Sequence, residues 1–254
     1  MINIETLEKL ARKTQTSVFP NVVREYFQHV FLAELYRLPE AGRILFKGGT
    51  ALRVVYNSPR FSEDLDFSLF STPLKKVTSF VEDLFVQVLT EMENAGIRVE
   101  LGDKLGSTSG GYFGLATFRM FEYPLISVEL NVSARNIRDV IGEIDSVANN
   151  FVPTYTIMHL PQKEIVEEKV FGALRDRKKP RDFYDLYFIM RSNLLSHDQK
   201  KRLSGLKEQI VRDAKAINFR TELGVFLPAD QQAIIRDFPA TLARELNRQL
   251  STLS

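Results

Sequence analysis

Cysteine and tryptophan are absent from the 254 residues, and there are only three histidines. Without cysteine the chain has no disulfide, no thiolate zinc site, no iron–sulfur cluster and no cysteine nucleophile. His29, His159 and His197 are too scattered to suggest a histidine cage. Any bound metal is therefore expected on oxygen ligands, which points to magnesium or manganese. Long apolar runs are missing too. The longest stretch without Asp, Glu, Lys or Arg, Ser146–Gln162, is polar and broken by Pro153, so no membrane span is expected. The N-terminal segment carries Glu5 and Glu8 and no apolar leader, so a cytoplasmic location is expected. No internal repeat or low-complexity tract is evident.

What is present is ordinary for a soluble globular protein: 44% hydrophobic and 26% charged residues, with a net charge of +2. That charge is too small to argue nucleic-acid binding by itself. The length suits one large domain or two small ones.

The first forty residues read as helices, with Val22, Tyr26, Val30 and Phe31 near helical spacing. Ile44-Leu45-Phe46 reads as a buried strand running into Gly48-Gly49. A short helix follows with Leu52, Val55 and Tyr56 on one face, stopped by Ser58-Pro59. Phe61–Leu69 reads as a strand. Thr72 is suited to cap the next helix, Pro73 to its first turn and Gly96 to its end, with Val77, Val81, Leu84 and Val88 inward. Ile97–Leu101, Tyr112–Met120 and Leu125–Ser133 read as strands. Five of the thirteen glycines lie from Gly102 to Gly114, marking a hairpin expected to be mobile. From Pro161 onward the pattern is helical. The expectation is an α+β chain, with residues 1–160 an α/β core with N-terminal helices and residues 161–254 a helical module.

Four segments carry candidate chemistry. In Lys47-Gly48-Gly49-Thr50 a strand turns into a helix. The glycines allow close backbone approach to a phosphate, although a plain tight turn accounts for them equally well. In Arg60-Phe61-Ser62-Glu63-Asp64-Leu65-Asp66-Phe67, strand alternation puts Asp64, Asp66 and Ser68 on one face and Leu65, Phe67 and Leu69 on the other. Two like charges so close favour a divalent cation or solvent. Along Ser127–Val132, Glu129 lies on a polar face with Ser127 and Asn131. If that strand neighbours the Asp-x-Asp strand, Glu129 adds a third carboxylate. In Glu164–Met190, Lys169, Ala173 and Arg177 follow one helical line, and Pro180 opens a helix with Phe183, Leu186, Tyr187 and Met190 inward. Asp182 and Asp185 share another face. Five cations between Arg175 and Arg181 suit phosphate groups, or simply a solvated turn in which Asp182 answers the helix dipole. No Walker loop, Gly-x-Gly-x-x-Gly or His-Glu-x-x-His occurs, and Gly106–Gly110, close to a serine-hydrolase elbow, has Thr108 at its centre.

The order of these segments resembles the nucleotidyltransferase superfamily with a DNA polymerase β-like core. Phe46–Leu52 followed by Arg60–Phe67, with Glu168-Lys169, Ala173-Leu174, Arg177 and Arg181-Asp182-x-x-Asp185-Leu186-Tyr187, is similar to the AbiEii/AbiGii toxin family of type IV toxin–antitoxin and abortive-infection systems. The resemblance implies a mixed sheet flanked by helices, with the helical module completing an active-site cleft. It implies catalytic roles for Asp64, Asp66, Glu129, Lys169 and Asp182, with Asp64, Asp66 and Glu129 as ligands of Mg²⁺ or Mn²⁺. It implies nucleotide contacts from Lys47, Gly48, Gly49, Thr50, Arg60, Ser62, Lys169, Arg177, Arg181 and Asp185. Family members often carry a lysine two residues before the third acid, where this chain has Ser127. The implied reaction moves a nucleoside monophosphate from a nucleoside triphosphate to a hydroxyl, first of all the 3′ end of tRNA or another RNA. A cognate antitoxin is the implied partner. The alternatives are a small-molecule or protein acceptor, or a nucleotide- or RNA-binding module without transfer.

Overall fold

A computed structural model describes residues 2–14, 16, 18–70, 72–101, 106–135 and 140–251. The chain forms two compact units. One comprises Met1–Asn57 and Phe61–Leu160, the other Ser58–Arg60 and Pro161–Ser254. The tripeptide Ser58–Arg60 thus belongs to the second unit while its neighbours on both sides belong to the first.

The first unit is built on a mixed sheet. Its strands are β1 (Ile44–Lys47), β2 (Leu65–Phe70), β3 (Arg98–Leu101), β4 (Gly106–Thr108), β5 (Gly111–Arg119), β6 (Ile126–Arg135), β7 (Glu143–Val147) and β8 (Tyr155–His159). Among the described residues the order is β3-β5-β6-β2-β1-β8-β7, with β4 paired to β5. β1 runs antiparallel to β2 and parallel to β8, and β2 runs parallel to β6. The adjacency of β2 and β6 meets the condition under which Glu129 shares a face with the Asp-x-Asp strand. The helices of this unit are α1 (Ile4–Lys13), α2 (Val23–Leu35), α3 (Gly48–Val54) and α4 (Leu74–Asn94).

α2 is buried almost all round, and aromatic rings fill the space beside the sheet. Phe27 stacks on Phe118 at 4.6 Å between centroids, and Phe31 and Phe67 both meet Phe85. Two polar residues of α2 are tied to other elements. His29 Nδ1 lies 2.9 Å from the Tyr155 hydroxyl, and burial pushes the imidazole down to about 4, so it is neutral near pH 7. Gln28 reaches the loop before β2, as described below.

Several elements depart from the sequence expectations. β2 starts at Leu65 rather than Phe61, because residues 61–64 are held by side chains instead of a strand ladder. Thr72 does not cap α4. Its hydroxyl accepts from Arg43 Nη2 at 2.7 Å and donates to the Phe70 carbonyl at 3.2 Å, and Pro73 occupies the cap position rather than the first turn. Gly96 does end the helix, at φ +86°, and the amides of Gly96 and Ile97 close onto the carbonyls of Glu93 and Met92. β7 and β8 were not expected. In the glycine-rich hairpin, Gly102 lies outside the described residues, and Gly106–Thr108 pairs with Gly111–Phe113.

The second unit is helical: α5 (Gln162–Val166), a π-helical stretch (Glu167–Ala173), α6 (Leu174–Asp176), α7 (Pro180–Arg191), α8 (His197–Lys215), α9 (Arg220–Phe226) and α10 (Phe238–Leu250). Phe183, Leu186 and Met190 are buried as their spacing predicts, and Phe183, Tyr184, Phe219 and Phe238 form a linked aromatic cluster. No described helix is long and apolar enough to cross a membrane.

Ser68, on β2, is fully buried, and its hydroxyl has no hydrogen-bond partner among the described residues. A desolvated hydroxyl without a partner costs stability. Ser68→Ala is therefore expected to leave the protein as stable as wild type, or more stable by about 1 kcal/mol, as measured by urea unfolding.

Candidate active site

In the first unit, the register Lys47↔Asp66↔Asn131 sets three polar residues in a row across β1, β2 and β6. Alternation along β6 puts Glu129 on the same side as Asn131, and Asp64 directly precedes the first residue of β2. Leu65, Phe67 and Leu69 point the other way and are buried. Asn131 Nδ2 donates to Asp66 Oδ1 at 3.3 Å. Lys47 is largely buried and its ammonium lies 3.5 Å from Ser133 Oγ.

Gly48, immediately after β1, has φ +83°, and a β-carbon there would lie 2.2 Å from Asp66 Oδ2. Glycine is required twice over, for backbone sign and for space. The turn brings the start of α3, which no side chain caps, against the Asp66 carboxylate.

The loop leading into β2 is pinned from both sides. Gln28 Nε2 donates to the carbonyls of Ser62 and Glu63, at 3.1 and 2.9 Å. The buried Thr50 hydroxyl donates to the Asp64 carbonyl. Arg53 lies over the Phe61 ring at 3.9 Å and pairs with the largely buried Glu25. Thus Thr50 acts on backbone, and Ser62 is held by its carbonyl. Sequence reasoning missed Gln28, Arg53 and Glu25; their signal was polarity within otherwise apolar helices.

The carboxylates of Asp64, Asp66 and Glu129 offer oxygen ligands, which suit a hard divalent cation. Asp64 and Asp66 fit such an ion on donor chemistry, and the Gly48 cradle leaves the Asp66 carboxylate room that a side chain would fill. Glu129 is exposed, and among the described residues no three His, Asp or Glu side chains gather as one metal-holding group.

In the second unit, Asp185 is fully buried between two cations. Arg60 Nε and Nη2 donate to Oδ1 at 3.0 and 2.8 Å, Nη2 also reaches Oδ2 at 3.1 Å, and Lys169 Nζ lies 2.9 Å from Oδ2. Burial alone would push the Asp185 carboxyl up, but Arg60 and Lys169 outweigh it and hold the group below the ordinary carboxylate range. Arg60, expected beside phosphate, is itself only 2% exposed. Lys169 sits in the π-helical stretch, a form often found at functional positions.

Asp182 is buried at the start of α7. Its Oδ1 accepts from Arg177 at 2.6 Å and its Oδ2 from the Lys179 amide at 3.1 Å, a helix-capping arrangement. Arg181 pairs with Glu222 at 3.2 Å. Arg175 pairs with Asp176 and Lys178 with Asp213. Acids of the same unit thus pair four of the five cations between residues 175 and 181.

A family model described as the nucleotidyl transferase AbiEii toxin of type IV toxin–antitoxin systems matches residues 30–250. The chain belongs to this family. Two crystal structures of Helicobacter pylori proteins share the fold of this AbiEii-family chain. JHP933 has a TM-score of 0.66 at 19% identity, covering 92% of this chain and 94% of its own. The other, assigned as a nucleotidyltransferase, has a TM-score of 0.62 at 20% identity, covering 93% and 98%. No curated protein matches. Membership makes this chain a nucleotidyltransferase of the toxin–antitoxin type, with a mixed α/β fold, as the motifs implied.

Two outcomes follow for the AbiEii-family chain. Gly48→Ala must displace Asp66, so it is expected to lose about 1–3 kcal/mol of stability in thermal or urea unfolding and to lose nucleotidyl transfer. Asp185→Asn removes the anion that Arg60 and Lys169 share and is expected to cost about 3–5 kcal/mol at pH 7 in urea unfolding. Because the folded-state value of Asp185 lies below the unfolded one, this stabilisation is fully present above about pH 4. It fades as pH falls through the lowered value, so the gap between wild type and Asp185→Asn narrows in acid.

Proposed function

We propose that this chain transfers a nucleoside monophosphate from a nucleoside triphosphate to a hydroxyl of an RNA acceptor, the 3′ end of tRNA being the first candidate, with Mg²⁺ or Mn²⁺ on Asp64 and Asp66. The observation that carries the proposal is the pairing of the Asp-x-Asp strand with a glycine turn closed against Asp66. A bond forms between the acceptor oxygen and the α-phosphorus, the bond to pyrophosphate breaks, and the acceptor proton is released. A bound divalent ion supplies charge neutralisation and a more acidic acceptor hydroxyl.

The chain's own residues do the positioning. Asp66 projects from the start of a strand whose other face is anchored in the core, and Asp64 directly precedes that strand, so the pair is set in place before substrate arrives. Gln28 and Thr50 fix the backbone ahead of them. The backbone of Gly48 and Gly49 is the proposed phosphate cradle, with Lys47 alongside. Lys169 is the proposed phosphate-contacting cation of the second unit. Glu129 is the third acid, on the same face one strand away. Family membership implies a cognate antitoxin, and a cytoplasmic setting suits triphosphate substrates.

A second reading, a small-molecule or protein hydroxyl as acceptor, draws on one observation. Most of the basic run from Arg175 to Arg181 is paired with acids of its own unit, so RNA attraction there is muted.

The deciding experiment incubates the protein with each labelled triphosphate, Mg²⁺ and total tRNA or whole-cell protein, and follows label into acceptor. Charge stabilisation by a metal is worth several kcal/mol, so Asp64→Asn and Asp66→Asn are each expected to lose about a hundredfold or more. Glu129→Gln is expected to lose less. Transfer that survives in both Asp variants sinks the metal assignment. Triphosphate binding without transfer favours a binding module.

A further inference from the structure

Arg60 has an unusual position. With Ser58 and Pro59 it belongs to the helical unit, although Asn57 and Phe61 on either side belong to the sheet unit. Its guanidinium fork is turned onto Asp185, and both side chains are almost wholly shielded from water. A phosphate ligand would need that fork presented outward.

The guanidinium contacts both Asp185 oxygens, and the Lys169 ammonium meets Oδ2 and is the more exposed cation, at 11% against 2%. Of the two cations on Asp185, Lys169 is therefore the one placed to meet a ligand. An ammonium on a flexible four-carbon stem has poor directionality unless something aims it. Asp185 does the aiming, and a carboxylate can stay ionised at that depth only with a strong, geometrically matched counter-charge. Arg60 is that counter-charge.

We propose that Arg60 is a positioning residue: it holds the Asp185 carboxylate charged in the interior of the helical unit, and Asp185 aims the Lys169 ammonium toward a phosphate group. This rests on the nucleotidyl-transfer reading above for the phosphate, and on geometry alone for the Arg60–Asp185–Lys169 chain.

The test combines two mutant cycles on the full chain. In transfer assays, Arg60→Gln is expected to lower kcat/KM by about tenfold to a hundredfold, the scale of a misplaced catalytic group. Arg60→Lys recovers part of the loss. Lys169→Ala loses more, and the double variant Arg60→Gln/Lys169→Ala is no worse than Lys169→Ala, because Arg60 acts only through the lysine. Losses that multiply in the double variant would mean that Arg60 meets substrate itself, and would overturn the proposal. Undiminished kcat/KM in folded Arg60→Gln would overturn it as well. In the second cycle, thermal unfolding is expected to find the losses of Arg60→Gln and Asp185→Asn coupled, the double variant losing less than the sum of the two single variants, since each single change breaks the same ion pair. Additive losses would show that Arg60 is not the counter-charge of Asp185, whatever the activity. Wild-type protein with no transfer to any acceptor would sink the functional reading and the phosphate part of this inference, while the unfolding cycle still judges the Arg60–Asp185 link.

Discussion

The Asp66 carboxylate stands where a side chain on Gly48 would have to be, and the sheet unit is arranged around that exclusion. It fixes the backbone sign of the turn after β1, and through the turn the point at which α3 begins. It also ties the glycine pair to the β1–β2 register, since only the pairing Lys47↔Asp66 brings the two together. A register slip by one residue would turn Asp66 into the core and Leu65 or Phe67 toward solvent. The apolar face of β2 therefore guards the geometry of the polar one.

The two units handle carboxylates in opposite ways. Asp66 meets the neutral amide of Asn131, and its strand neighbour Asp64 is fixed through its backbone carbonyl. Asp185 is instead saturated by cations of its own unit. The first arrangement sets a carboxylate against a neutral donor. The second consumes negative charge to orient a positive group. Nucleotidyl transfer needs both signs, because metal and cationic side chains share the charge of the triphosphate.

Much of this was legible in the sequence. Period-two alternation in Leu65–Leu69 and the apolar spacing of Phe183, Leu186, Tyr187 and Met190 are local properties, and they matched the burial found except at Ser68, which is buried, and Tyr187, which is half-buried. The motif order also carried the family, since it depends on identity and spacing alone. Long-range facts were not legible. β7 has four exposed residues out of five and no alternation to reveal it. Residues 61–64 look like strand because they continue the pattern of β2, but the side chains of Gln28, Thr50 and Arg53 hold them, from 34, 14 and 8 positions away in the chain. Thr72 has the chemistry of a cap, and only the fold shows that Arg43 already engages its hydroxyl. Arg60 was the largest surprise: its place in the motif suggested substrate, and its surroundings show a buried ion pair.

The π-helical stretch from Glu167 to Ala173 carries a consequence for the helix hairpin that follows. A π turn takes an additional residue into the helix, and one residue corresponds to about 100° of rotation. Side chains before and after Glu167–Ala173 are thus out of phase with a regular helix, so the straight line from Lys169 through Ala173 to Arg177 on a helical wheel is not a line in space. Removing one residue of that stretch after Lys169 would let the helix wind regularly and swing Lys169 by about a quarter of a turn relative to Arg177. The chain length of this short segment works as an angular setting, as much a determinant of where the ammonium points as the identity of the lysine.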